Sequence, residues 1–149
     1  MPTFKDIFHS TYIIQLSCLL MKQADKVLGK KYTLTHAQFM VMIMLHQYGH
    51  QSQVELAAKL NLTGAAVSRL VNTLTIKGFL DRAEDPNNRR KNTLQLTKVG
   101  QKIITEAVEI LMKMEKTLYG QIEPTKLTCF TEICHQLSDT LILKDNHNQ

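Results

Sequence analysis

Nothing in this chain is both long and apolar enough to cross a bilayer. The longest uninterrupted apolar run, Phe39 to Leu45, falls far short of the roughly 20 residues a spanning helix needs. The first residues carry no signal-peptide pattern, so the protein is expected in the cytoplasm and away from membranes. Cysteine is scarce: Cys18, Cys129 and Cys134 form no CxxC pair and are odd in number, which fits reduced thiols rather than a disulfide framework. Internal repeats and low-complexity linkers are also missing. That leaves one domain of 149 residues, or one compact subunit sharing a core with a second copy. Acidic residues are in deficit, with 13 Asp and Glu against 18 Lys and Arg, and the resulting net charge of +5 favours an anionic partner.

Catalytic and metal-binding constellations are lacking too. His46 and His50 lie one helical turn apart, but Gly49 ends that helix and no nearby Cys, Asp or Glu completes a cluster, so surface or interface histidines are the simpler reading. Cys134 adjoins His135, yet neighbouring residues on a helix point different ways and no third group is in view. An enzyme, a resident metal and a cofactor are all unexpected on this pattern.

What the chain does have is centred on Thr63 to Gly78. At about 100° per residue, Val67, Leu70, Val71 and Leu74 fall on one side of a short helix, with Ala65, Arg69 and Asn72 opposite and Ser68 on the flank. Thr63 is placed to cap the first turn, and Gly78 to end the last in the left-handed conformation. Gly64, Ala65 and Ala66 are small enough to let the helix approach a base-pair floor, leaving Ser68 and Arg69 to hydrogen-bond. Ile76 falls on this polar face without a reason in the pattern.

Upstream, Ser52 to Leu60 reads as a second helix, opened by a Ser52/Glu55 capping box and lined on one face by Val54, Ala57 and Leu60. Only Asn61 and Leu62 join the two, which is the spacing of a helix-turn-helix. Downstream, Phe79 to Arg82 is a short strand, and Thr93 to Thr97 alternates with period two. The turn-rich stretch from Asp85 to Asn92 between them carries Arg89, Arg90 and Lys91, which makes a β-hairpin with a basic tip.

These residues resemble the MarR family of winged-helix transcriptional regulators. The resemblance lies in Leu56-Ala57, in Val67-Ser68-Arg69-Leu70-Val71 with Leu74 and Lys77-Gly78-Phe79-Leu80, and in Asp85-Pro86 through Arg89-Arg90 to Leu96-Thr97 and Gly100. It implies a mainly α fold with a small β-hairpin wing, a winged helix-turn-helix ordered α-α-α-α-β-β-α-α, working as a homodimer on double-stranded DNA. The residues expected at DNA are Ser52, Gln53, Thr63, Gly64, Ala65, Ala66, Ser68, Arg69 and Asn72, with Arg89, Arg90 and Lys91 on the wing. Arg90 resembles the family's minor-groove arginine. Ala65 and Ala66 stand where the family often carries hydroxyls, so the preferred base sequence is expected to differ.

The flanking helices supply the dimer. Phe4 to about Gly29 reads as a long first helix that is apolar on two faces, Phe8, Tyr12, Leu16, Leu19 and Leu20 against Ile7, Ile14, Cys18 and Met21. Such a helix must be covered twice, once by its own subunit and once by a second. Leu34 to Phe39 opens another helix through a Thr35/Gln38 capping box, with Leu34 stapling onto Phe39, and runs to Gly49. Thr97 caps a fifth helix reaching Gly120, with Ile104, Ala107 and Leu111 on its apolar side. Pro124 begins a sixth, whose stripe is Leu127, Phe130, Ile133, Leu137 and Leu141. The expected organisation is residues 1–33 for dimerisation, 34–100 for DNA binding, 101–143 for dimerisation again and 144–149 as a flexible tail.

Six methionines on helices, including Met21, Met40 and Met44, suit core packing first and an adaptable pocket second. The resemblance implies an effector pocket, and a small apolar effector that releases DNA is the expectation. Two alternatives stand beside it. Cys18 could act as a thiol sensor, although its neighbours Ile14 and Met21 predict an apolar, less reactive setting. The winged helix could instead bind another protein, with the basic wing as a charged rim.

Overall fold

The computed structural model describes residues 9–85 and 88–147, and the side chains of 9–82 and 93–142. Among these, the elements run α1 (His9–Tyr32), α2 (His36–Tyr48), α3 (Gln53–Leu60), α4 (Gly64–Ile76), β1 (Leu80–Asp85), β2 (Asn88–Leu96), α5 (Lys98–Tyr119) and α6 (Pro124–His147). This is the expected winged-helix order. The chain divides into two compact units, Met1–Leu111 and Met112–Gln149.

Caps delimit the central helices. The Thr35 side chain accepts from Gln38 N at 3.2 Å while Gln38 Oε1 accepts from Thr35 N at 3.1 Å. Ser52 and Glu55 make the same reciprocal box at the start of α3, and Thr63 accepts from Ala66 N at the start of α4. Asn61, in the left-handed region at φ 51°, closes α3, a conformation asparagine tolerates. At φ 72°, Gly78 ends the turn after α4 as expected.

The core of the first unit gathers one stripe from each element: Leu28 from α1, Val41, Met42 and Leu45 from α2, Leu56 from α3, Val67, Val71 and Leu74 from α4, Leu80 and Leu94 from the hairpin, and Ile104 and Ala107 from α5. Gly100 lets α5 start hard against the hairpin, because a Cβ there would collide with the Phe79 carbonyl. Thr97 fixes the same junction. Its hydroxyl donates to Gly78 O at 2.7 Å and accepts from Gly100 N at 3.0 Å.

Lys77 ties the end of α4 to the corner between α1 and α2. Its ammonium donates to Thr33 O at 2.5 Å and to Gln38 Oε1 at 3.3 Å. Thr33 itself sits at φ 54°, an uncommon position for a β-branched residue, which costs on the order of 1 kcal/mol or more. No buried side-chain nitrogen or oxygen among the described residues lacks a hydrogen-bond partner.

Several expectations need correction. Leu56, not Val54, carries the buried face of α3. Val54 lies two residues and about 200° earlier and is left 78% exposed. The strands extend well into the stretch expected as loop, since β1 reaches Asp85 and β2 starts at Asn88, with the register shifting between Glu84 and Asp85. Gln51 adds an isolated antiparallel bridge to Leu94 that sequence pattern does not announce.

The largest departure is α1. Its own subunit covers only its C-terminal half, at Ala24 and Leu28, while Tyr12, Ile13, Ile14, Leu16, Leu19 and Met21 are all exposed. Neither apolar face of the N-terminal half is covered in the single chain, and the helix runs on to Tyr32. Its expected start at Phe4, with Ile7 and Phe8, lies outside the described residues. In the second unit, α6 begins at Pro124 as expected and continues to His147, beyond the expected start of the tail, and residues 148–149 are again outside the described set.

Candidate nucleic-acid interface

The recognition surface follows from the two-sidedness of α4. Val67, Val71 and Leu74 are buried, which anchors the helix and turns the opposite face outward. Gly64, Ala65, Ser68, Arg69 and Asn72 are exposed there, with Thr63 at the cap and Ala66 half-buried. A Cβ on Gly64 would meet nothing within 4 Å, so the fold itself does not require glycine at that place. The helix carries no acidic residue. Thr73 and Thr75 hydroxyls are turned back to the carbonyls of Arg69 and Val71, both at 2.9 Å, leaving the outward chemistry to Ser68, Arg69 and Asn72.

Neighbouring elements extend this face. A shallow depression of about 220 Å³ is lined by Gln53 of α3, by Ser68, Arg69, Asn72 and Thr75 of α4, and by Arg82 of β1. Four of the residues expected at DNA, Gln53, Ser68, Arg69 and Asn72, are thus brought together. Ser52 stands apart in role. Its hydroxyl proton goes to Glu55 Oε2 at 2.9 Å, so it serves the cap. Arg89, Arg90 and Lys91 lie on β2, and their side chains are outside the described set.

Sequence reasoning missed Arg82 and Thr75. Arg82 reaches this face through the pairing of β1 with β2, which no local pattern reveals. The only signal was a basic residue at the base of a predicted wing.

The remaining candidates separate. His46 Nδ1 accepts from Gln101 Nε2 at 2.9 Å, and His50 Nδ1 lies 3.5 Å from Thr93 Oγ1, so the two histidines are engaged with α5 and β2 respectively. Cys18 is exposed rather than sheltered in an apolar stripe, because the half of α1 that carries it is uncovered in the single chain.

A second charged cluster joins α1 to α5. Lys31 Nζ lies 3.0 Å from Glu106 Oε2, and the Tyr32 hydroxyl donates to the same oxygen at 2.8 Å. Hydrogen bonds from Lys31 and then Tyr32 hold the Glu106 carboxyl below its ordinary value, and Lys31 is held above its own by Tyr32 and then Glu106.

Comparison with known proteins points the same way as this geometry. Residues 34–91 match the MarR family. Among relatives, the chain is similar to the HTH-type transcriptional regulator YhbI of Bacillus subtilis, 26% identical over 136 residues, spanning 91% of this chain and 86% of that protein. It is 30% identical over 103 residues to YdcH of the same organism, also an HTH-type transcriptional regulator, across 66% of this chain and 69% of that one. Among solved structures, S. aureus MepR in complex with DNA shares the fold with a TM-score of 0.79 at 24% identity, covering 89% of this chain and 96% of MepR.

Proposed function

Because this chain belongs to the MarR family of transcriptional regulators, we propose that it acts as a homodimeric, sequence-specific DNA-binding protein, a cytoplasmic repressor of a pseudo-palindromic operator. The observation that carries the reading is the outward face of α4. Ser68, Arg69 and Asn72 stand exposed on an acid-free helix whose opposite side is locked into the core. A helix so anchored fits the major groove, where arginine bonds a guanine edge bidentately. Arg69 and Ser68 then read bases, Gly64, Ala65 and Ala66 allow close approach, and the wing brings Arg90 to the adjacent minor groove with Arg89 and Lys91 adding charge. MepR, a structural neighbour solved with DNA, supports this use of the fold.

Dimerisation is proposed through 1–33 and 101–143, flanking the DNA-binding residues 34–100. The support is the exposed apolar stripe on the first half of α1 and the row Phe130, Ile133, Leu137 and Leu141 exposed on α6. Two-fold symmetry would set half-sites about one helical turn apart. A small apolar effector releases the operator by changing the spacing of the two α4 helices. Half-buried Met40 and Met44, whose side chains adapt to irregular ligands, support that choice. Release by thiol oxidation is the alternative mode, and it requires that Cys18, exposed in the single chain, stays reachable in the dimer.

A gel shift on the DNA upstream of the protein's own gene tests the reading. Binding that weakens steeply with salt is expected. Absence of binding at every salt concentration would favour a protein-interaction module instead. Release by peroxide that disappears in Cys18→Ser would make the thiol the sensor.

A further inference from the structure

The depression beside α4 is built by three elements, and the sheet explains why they meet. Gln51 is bonded to Leu94 on one side of β2, N to O at 3.2 Å and O to N at 2.8 Å, and Arg82 is paired with Leu94 on the other. The start of α3, which carries Gln53, and the base of the wing, which carries Arg82, are therefore held in one hydrogen-bonded frame. Val71 of the core lines the depression, and Arg69 stands on its α4 side. Arg69 and Arg82 both line it, no Asp or Glu among the described residues does, and neither arginine is ion-paired with another described residue.

Uncompensated guanidinium charge beside an amide donor is the chemistry that recognises a phosphate. Position narrows the source. A helix in the major groove and a wing in the neighbouring minor groove are separated by one sugar-phosphate strand, and that strand must cross between α4 and the base of the wing. Arg82 stands at that crossing.

We infer that this depression seats a backbone phosphate of the duplex, with Arg82 as its charged contact and Gln53 as an amide donor. The contact fixes the register of α4 in its groove and leaves base reading to Ser68 and Arg69. It rests on the regulator reading above and deepens it, since it adds β1 to the elements that touch DNA and gives Arg82 a positioning role without base preference.

The test uses the full chain and a duplex that it enriches from a randomised pool, with each phosphate replaced singly by a neutral methylphosphonate. One linkage in each half-site should cost the wild-type protein about tenfold in affinity, the scale of a charged hydrogen bond. Arg82→Gln, which removes the contact from both half-sites, should bind the native duplex about a hundredfold more weakly, lose its sensitivity at that linkage alone, and keep the wild-type base preference. Its salt slope should fall by about 0.9 per half-site, and Arg82→Lys should restore most of the loss. Because Arg82 is exposed, both variants should keep the wild-type thermal midpoint.

An enriched duplex on which Arg82→Gln keeps the full wild-type profile at every linkage would overturn this contact and leave the regulator reading standing. A changed base preference in Arg82→Gln would overturn it too, by making Arg82 a base reader. Inorganic phosphate that displaces the duplex at matched ionic strength, in wild type and not in Arg82→Gln, would make the depression a free-phosphate site instead. Failure to enrich any duplex at low salt would overturn the regulator reading and this site with it.

Discussion

Leu74 on α4 and Leu137 on α6 each sit in the middle of an apolar stripe with helical spacing, yet Leu74 is fully buried and Leu137 is 45% exposed. The same contrast holds for their neighbours. Val67 and Val71 are buried beside Leu74, while Phe130, Ile133 and Leu141 are open beside Leu137. Periodicity tells which face of a helix is apolar, but it does not tell which chain covers it. Around α4 the cover comes from the same chain; on α6, and on the first half of α1, the single chain leaves the stripe open. The dimer proposed above would cover both stripes.

The sharpest way to test that contrast is to remove the same atoms from both places. Leu74→Ala should destabilise the protein by about 2 to 5 kcal/mol in chemical denaturation, because a fully buried leucine loses transfer energy and leaves a cavity. That loss should not depend on protein concentration. The deficit of Leu137→Ala should instead depend on concentration, largest where the wild type is fully paired and falling away at dilutions that separate both proteins into single chains, since a residue that is buried only between two copies acts through mass action. Equal, concentration-independent losses at both positions would erase the distinction.

Gly100→Ala should follow, with a loss of about 1 to 3 kcal/mol in the same measurement, because the new methyl collides with the Phe79 carbonyl and the α5 junction must shift. Thr63→Ala should cost about 1 kcal/mol through the lost bond to Ala66 N, and Thr35→Ala a similar amount. Thermal melts would show either loss.

These caps also mark how far the sequence could be read. Thr35, Ser52, Thr63 and Thr97 were legible because a cap and its helix are contiguous in the chain, and the buried stripe of α4 was legible for the same reason. What escaped depends on contacts between distant residues. The Gln51–Leu94 bridge and the place of Arg82 arise from strand register, and a single bridge carries no alternating pattern. Val54 was misassigned because α3 is only 8 residues long, too short for its apolar spacing to choose between two faces. The exposure of Ile76, at 79%, has no account in the single chain. For α1 the spacing shows two apolar faces, but not that its own subunit leaves the described N-terminal half exposed.

The smallest effect belongs to the exposed Lys31–Glu106 ion pair between α1 and α5. Glu106 is held below its ordinary 4.5, so its contribution to stability is complete above that pH and fades as the pH falls through the lowered value. Lys31 is held above its ordinary 10.5, so its contribution is present below that pH and is lost as the pH rises through the raised value. Glu106→Gln should remove the acid-side part of this dependence and change little near neutral pH, because both partners are solvent-screened. A pH series of melting midpoints measures it.

In the proposed dimer the open stripes on α1 and α6 are closed by a second copy of this chain. Sedimentation of the full chain at micromolar concentration measures it directly. A species with the mass of two chains that persists on dilution through that range is expected, and a stable, folded species with the mass of one chain would rule this pairing out.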